Sequence, residues 1–123
     1  MGINKKILLV DDEPDILKVV IFRLKACSYE VMTASDGIKA LEAVEKEKPS
    51  LIMLDVNMPV MDGIQTLEKL KSNGETKDIP VIMLTAKTQS QDIEKAINLG
   101  ANDYISKPFE HIVLLNKIKE ILG

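Results

Sequence analysis

The 123-residue chain reads as an α/β protein, a doubly wound and mostly parallel five-stranded sheet in the order 2-1-3-4-5 with helices on both faces. Three observations predict it. Short, nearly unbroken apolar runs at residues 7–10, 51–54 and 81–84 have the pattern of strands buried on both faces. Segments of helical apolar period separate the strand candidates, so that strand and helix alternate five times, and strict alternation implies parallel strands joined by right-handed crossovers. The residues are 46% hydrophobic but only 3% aromatic, without Trp, so the core is built from Ile, Leu, Val, Met and Ala, as suits helices packed on a sheet.

In chain order, the first strand (7–10) closes on Asp11 and Asp12, and Pro14 falls in the first turn of a helix with the stripe Ile16, Leu17, Val20, Ile21 and Leu24. The second strand, 29–34, is interrupted by Glu30 and Thr33 and reads as an edge. Ser35 and Asp36 stand where they can cap a second helix with the stripe Ile38, Leu41 and Val44. The third strand (51–54) ends at Asp55, and a third helix beyond Pro59 carries Ile64, Leu67 and Leu70. A polar loop, 72–78, leads to the fourth strand (81–84), closed by Thr85. The fourth helix carries Ile93, Ala96 and Ile97 and stops at Gly100. A very short fifth strand, 104–106, is the second edge and closes on Lys107 and Pro108. The last helix carries Leu114, Leu115, Ile118, Ile121 and Leu122. Ranking the strands by apolarity places the first, third and fourth centrally, which gives the order 2-1-3-4-5. Ligands of such sheets bind beyond the carboxyl ends of the strands, at the switch point between the first and third.

Charge and cysteine content narrow the function. Sixteen Lys and Arg against nineteen Asp and Glu give a net charge of -3, without the basic excess that binding to a phosphate backbone requires, so nucleic acid is not expected as a direct partner. With so few aromatics a base-stacking surface is excluded. The one cysteine, Cys27, forms no internal disulfide; it lies in an apolar stretch, reads as a small buried hydrophobe and fits a reducing compartment. Four apolar residues precede Asp11, fewer than the roughly 7–15 of a signal-peptide core or the roughly 20 of a membrane span. The expectation is a soluble, cytoplasmic protein that does not engage a membrane. No linker or repeat divides residues 1–123, which read as a single domain with no output domain.

Every polar residue that closes an apolar run falls on the same sheet edge: Asp11, Asp12, Asp55, Thr85 and Lys107. Singly, each has a plainer reading. Asp12 serves equally well as a helix cap, Asp55 as the start of a turn before Pro59, Thr85 as a loop cap and Lys107 as a solvated charge. Together they make a pocket. Two carboxylates ~5 Å apart at an effective dielectric of ~20 repel by about 3 kcal/mol, so three need cationic compensation. Lys107 offsets one charge; Mg2+, which takes one or two carboxylates, keeps waters and recruits phosphate oxygens, offsets more. No glycine-rich loop follows the first strand, which removes the P-loop and dinucleotide readings. There is no serine or cysteine elbow with a histidine base, and His111, the single histidine, reads as a surface residue near the start of the last helix. The nucleophile left is a carboxylate, Asp55, with Thr85 and Lys107 placed to bind a phosphoryl group.

From about Lys5 to Leu122 the chain resembles the receiver domains of two-component response regulators, which share the flavodoxin-like fold. The motifs that carry the resemblance are ILLVDDEP from Ile7, LDVNMPVMDG from Leu54, LTA from Leu84 and GANDYISKPF from Gly100. The resemblance implies a stand-alone switch rather than an enzyme, one that takes a phosphoryl group from a histidine kinase or a histidine phosphotransfer protein onto Asp55. It also implies Asp12 and Asp55 as direct Mg2+ ligands, Asp11 as a ligand through water, and the backbone carbonyl of Asn57 as a further ligand. Thr85 and Lys107 would contact the phosphoryl group, and the bond before Pro108 is a candidate cis peptide. Tyr104 matches the family's switch aromatic, while as a bare sequence position it fits an edge-strand tyrosine equally well. Asn57 and Lys87 occupy positions that tune dephosphorylation. The fourth helix, fifth strand and fifth helix form the family's output face for a downstream target. One large subfamily dimerises there through an arginine matched here by Lys117, whose ammonium lacks the guanidinium fork, so the expectation is a monomer or weak dimer.

Three other function classes fit these residues less well. A haloacid-dehalogenase-type phosphatase needs a second aspartate two residues after its nucleophile, where Asn57 stands. A phosphorylation-independent interaction module commonly lacks acidic or lysine residues that this chain keeps. A flavodoxin would need a hydroxyl- and glycine-rich phosphate loop after the first strand, and none is present.

Overall fold

The computed structural model describes residues 5–86 and 90–123. Five strands, β1 (Lys6–Val10), β2 (Glu30–Ala34), β3 (Leu51–Asp55), β4 (Val81–Ala86) and β5 (Asp103–Lys107), alternate with helices α1 (Pro14–Ala26), α2 (Gly37–Lys46), α3 (Gly63–Ser72), α4 (Ser90–Asn98) and α5 (His111–Leu122). The sheet order is β2-β1-β3-β4-β5, and every pairing is parallel. This is the doubly wound, flavodoxin-like order.

The period of two along the central strands divides the core into two layers. Leu8, Val10, Ile52, Leu54, Val81 and Met83 face α2, α3 and α4 with Val44, Leu67, Leu70 and Ala96. Ile7, Leu9, Leu51, Met53, Ile82 and Leu84 face α1 and α5 with Val20, Leu24, Leu114 and Ile118. All twelve strand residues are fully buried, which is why these runs carry no polar alternation. At roughly 1.5–3 kcal/mol per buried side chain of this size, the central strands are the main source of stability. The edge strands β2 and β5 are mostly part-exposed, each with one buried residue, Ala34 and Ile105, as edge positions imply.

Helix punctuation follows the sequence with three changes. Asp36 caps α2, its Oδ1 accepting from the Lys39 amide at 2.8 Å, and Asp62 with Gln65 forms a reciprocal capping box on α3. At Gly100 the backbone has φ +111°, and the chain turns so that the Ala101 amide reaches the Ala96 carbonyl at 3.0 Å. The first change is at α1, whose N-cap is Glu13 with Pro14 as first helical residue, so Asp12 is not the cap. The second concerns two stripes: Ile38 and Ile97 are 41% and 44% exposed, while Ala40 and Ala96 are buried. The third is Cys27, which is exposed rather than buried: α1 ends one residue earlier, and the chain reverses through Ser28 at φ 69° on the surface. Among the described residues no helix is long and apolar enough to cross a membrane.

Candidate functional site

β3, β4 and β5 each extend past their apolar runs at the carboxyl end, so Asp55, Thr85 and Lys107 are strand residues held in the sheet. The register pairs Asp55 with Leu84, Thr85 with Ser106 and Ala86 with Lys107. Asp11 follows β1 directly, its amide bonded to the Ala34 carbonyl at 3.1 Å. These four residues therefore occupy one edge of a rigid sheet, at its switch point. Asp11 is fully buried, and Asp55 and Thr85 are 4% and 1% exposed.

Lys107 ties the pocket together. Its Nζ donates to Asp11 Oδ2 at 2.8 Å, to Asp55 Oδ2 at 3.1 Å and to Glu13 Oε1 at 3.2 Å. The remaining carboxylate oxygens take backbone donors: the Glu13 amide reaches Asp11 Oδ1 at 2.9 Å and the Asn57 amide reaches Asp55 Oδ1 at 3.2 Å. Burial raises the Asp55 carboxyl to about 6, reinforced by the Asp11 charge and opposed by Lys107 and the Asn57 amide. Burial by itself lowers the Lys107 ammonium, but its hydrogen bond to Asp11 and the charges of Asp55 and Asp11 prevail and raise it. The Thr85 hydroxyl donates to the Ala86 carbonyl at 3.2 Å.

Oxygens of Asp11, Asp12, Glu13 and Asp55 all lie within 4.8 Å of one another, with Asp12 and Glu13 on the solvent side. Four carboxylates against one ammonium leave the pocket strongly negative. Hard oxygen donors in this number, open to water on one side, suit Mg2+. The α3 end of the loop closes the other side: the Gly63 amide donates to the Val56 carbonyl at 2.8 Å, and a Cβ on Gly63 would collide with the Asp55 carbonyl.

The structure thus gathers Asp11, Asp12, Asp55, Thr85 and Lys107 at one edge, and adds Glu13, which no apolar run of the sequence marks. Its only signal there was its place beside two aspartates. The Asn57 side chain is exposed at the rim. Lys87 lies outside the described residues. The Lys107–Pro108 peptide is cis. Tyr104 is 40% exposed, on the outer side of β5. His111 is half-buried, not a surface residue: its Nδ1 is buried without a hydrogen-bond partner, beside a cavity it lines with Ile16, Val20 and Phe109. The short β5–α5 connection draws it against α1.

The site is thus a cluster of carboxylates around one lysine at the switch point of a doubly wound, flavodoxin-like sheet. The chain matches the response regulator receiver domain over residues 7–119 and belongs to that family. It is 44% identical over 119 residues to the alkaline phosphatase synthesis transcriptional regulatory protein PhoP of Bacillus subtilis, covering 97% of this chain and 49% of PhoP. The chain spans about half the length of the curated relatives it matches. Chemotaxis protein CheY4 of Vibrio cholerae superposes with a TM-score of 0.91 at 34% identity, covering 98% of this chain and 100% of that one. The receiver domain of the sensor histidine kinase PA1611 of Pseudomonas aeruginosa, solved with a magnesium ion coordinated in its active site cleft, superposes with a TM-score of 0.90 at 30% identity, covering 98% and 99%.

Proposed function

We propose that this receiver domain is a phosphoacceptor switch: a phosphohistidine of a histidine kinase or phosphotransfer protein gives its phosphoryl group to Asp55, and the altered pocket regulates a partner protein. The observation that carries this reading is the buried Asp55 carboxylate held at 3.1 Å from Lys107 at the switch point of the sheet. An oxygen of Asp55 attacks phosphorus, the P–O bond forms, the P–N bond breaks, and the imidazole leaves with the electron pair and takes a proton from water. Phosphoryl transfer asks for positioning and charge neutralisation more than covalent chemistry. Asp55 is positioned by the β3 ladder and the Asn57 amide; Lys107 neutralises charge on the incoming group; the Thr85 hydroxyl turns from the Ala86 carbonyl to a phosphoryl oxygen. Asp12 and Asp55 would hold Mg2+ directly, Asp11 through water and Asn57 through its carbonyl, and the ion would supply charge stabilisation to the phosphoryl oxygens.

Asn57 and Lys87 set the lifetime of the acyl phosphate through the attacking water. When Thr85 moves, Tyr104 turns inward and alters the surface of α4, β5 and α5, where Ile97, Tyr104 and Val113 are exposed for a downstream target. Lys117 is already bound to Asp103 within that face, at 2.8 Å, which favours a monomer or weak dimer. The domain switches rather than turning over a substrate, works in the cytoplasm and meets proteins rather than nucleic acid; a DNA-directed response belongs to chain beyond residues 7–119 or to another protein.

Incubation with acetyl phosphate and Mg2+ should add one phosphoryl mass to the wild type and none to Asp55→Asn. Equal labelling of the two would remove the assignment.

A further inference from the structure

Lysine has three N–H donors, and all three of Lys107 are committed: to buried Asp11, to buried Asp55 and to Glu13, whose side chain is 57% exposed. A phosphoryl oxygen on Asp55 therefore gains the lysine only by displacing one carboxylate. Asp11 cannot leave; it is fully buried and anchored by the Glu13 amide at 2.9 Å. Asp55 is the acceptor itself. Glu13 has the longest of the three contacts and an open path to water, and its backbone stays fixed on Asp11 while its side chain swings away.

Resting on the phosphoacceptor reading above, we infer that Glu13 is a positioning residue that acts through Lys107: in the unphosphorylated domain it holds the third lysine donor, and it must release that donor before the phosphoryl group is bound. Its charge also faces the incoming dianion. Glu13 thereby restrains spontaneous phosphorylation, and a donor protein that draws Glu13 away with a cationic side chain relieves the restraint.

Glu13→Gln keeps the length and an acceptor oxygen but removes the charge; Glu13→Asp keeps the charge. With acetyl phosphate and Mg2+, where an Asp55 oxygen attacks phosphorus and acetate leaves, Glu13→Gln should label about twofold to fivefold faster than wild type, the range an exposed ion pair gives. Its beryllofluoride affinity should rise by a similar factor. The difference from wild type should shrink as salt is raised, because an exposed pair is screened. Glu13→Asp should stay within twofold of wild type, and Mg2+ affinity by calorimetry should be unchanged in Glu13→Gln. If Glu13→Gln labels at the wild-type rate, or more slowly with weakened Mg2+ binding, the inference is overturned, and in the second case Glu13 serves the metal. Wild type that takes no phosphoryl group at Asp55 overturns the functional reading and this inference together.

Discussion

Asp55 is caught between opposed demands. Its place at the end of a buried strand and beside Asp11 raises its carboxyl to about 6, while the phosphoacceptor role proposed for it needs the ionised form. Because this pKa is raised above the unfolded value, the ionised carboxylate costs stability: nothing is lost below about pH 4, the cost grows as pH rises to about 6, and it is complete above that. A shift of about two units corresponds to about 3 kcal/mol. Asp55→Asn, which cannot ionise, should therefore be more stable than wild type by ~2–3 kcal/mol at pH 7.5 in metal-free buffer, with the gain vanishing near pH 4. Urea denaturation at the two pH values checks this; a gain independent of pH would contradict it. Asp11, Asp55, Thr85 and Lys107 were legible in the sequence because each ends an apolar run, and the run fixes both depth and direction. Glu13 was not, since its partner lies 94 residues away and nothing local marks the pairing. The half-burial of His111 escapes the sequence for the same reason: apolar side chains of α1 line the cavity beside it.

At the scale of elements, the pocket depends on how closely α3 docks behind β3. The Asp62–Gln65 capping box fixes where α3 starts, and Gly63 lets that first turn rest on the Asp55 backbone. An added Cβ would meet the Asp55 carbonyl carbon and the Val56 Cα at 2.8 Å, both backbone atoms that cannot rotate aside. Gly63→Ala should cost about 1–3 kcal/mol, as overpacking does, and slow Asp55 labelling because the nucleophile shifts with its strand. Unchanged stability in urea, or unchanged labelling, would show that the contact is not restraining. The sequence marked the helices by period and cap, and most of their bounds follow from Pro14, Asp36 and Gly100. It did not mark Ile38 and Ile97 as exposed or Ala40 as buried, because an apolar stripe wider than the contact leaves its flanking residues in solvent. The exposure of Cys27 likewise follows from where α1 stops, one residue before it, which an apolar pattern does not resolve.

Across the whole molecule, a slight excess of acid becomes meaningful once it is located: three carboxylates meet one ammonium, with Asp12 beside them, where the winding of the sheet reverses. A ligand that binds only the folded state stabilises it by mass action. Mg2+ at tenfold its dissociation constant should raise stability by about 1.4 kcal/mol, a shift of roughly 5 °C in melting temperature. Asp12→Ala should show little of that shift, and an equal shift in both proteins would place the metal elsewhere. The fold was legible in full because alternation, apolar runs and edge interruptions all pointed to one topology. What the switch reports to was not, since a receptor surface is defined by its partner's shape rather than by a period in this chain. The most direct test of the phosphoacceptor account is chemical trapping. After reaction with acetyl phosphate and Mg2+, borohydride reduces an acyl phosphate to the corresponding alcohol, and peptide mass mapping should find homoserine at position 55 alone; homoserine at Asp11 or Asp12, or a phosphoryl group retained on His111, would contradict it.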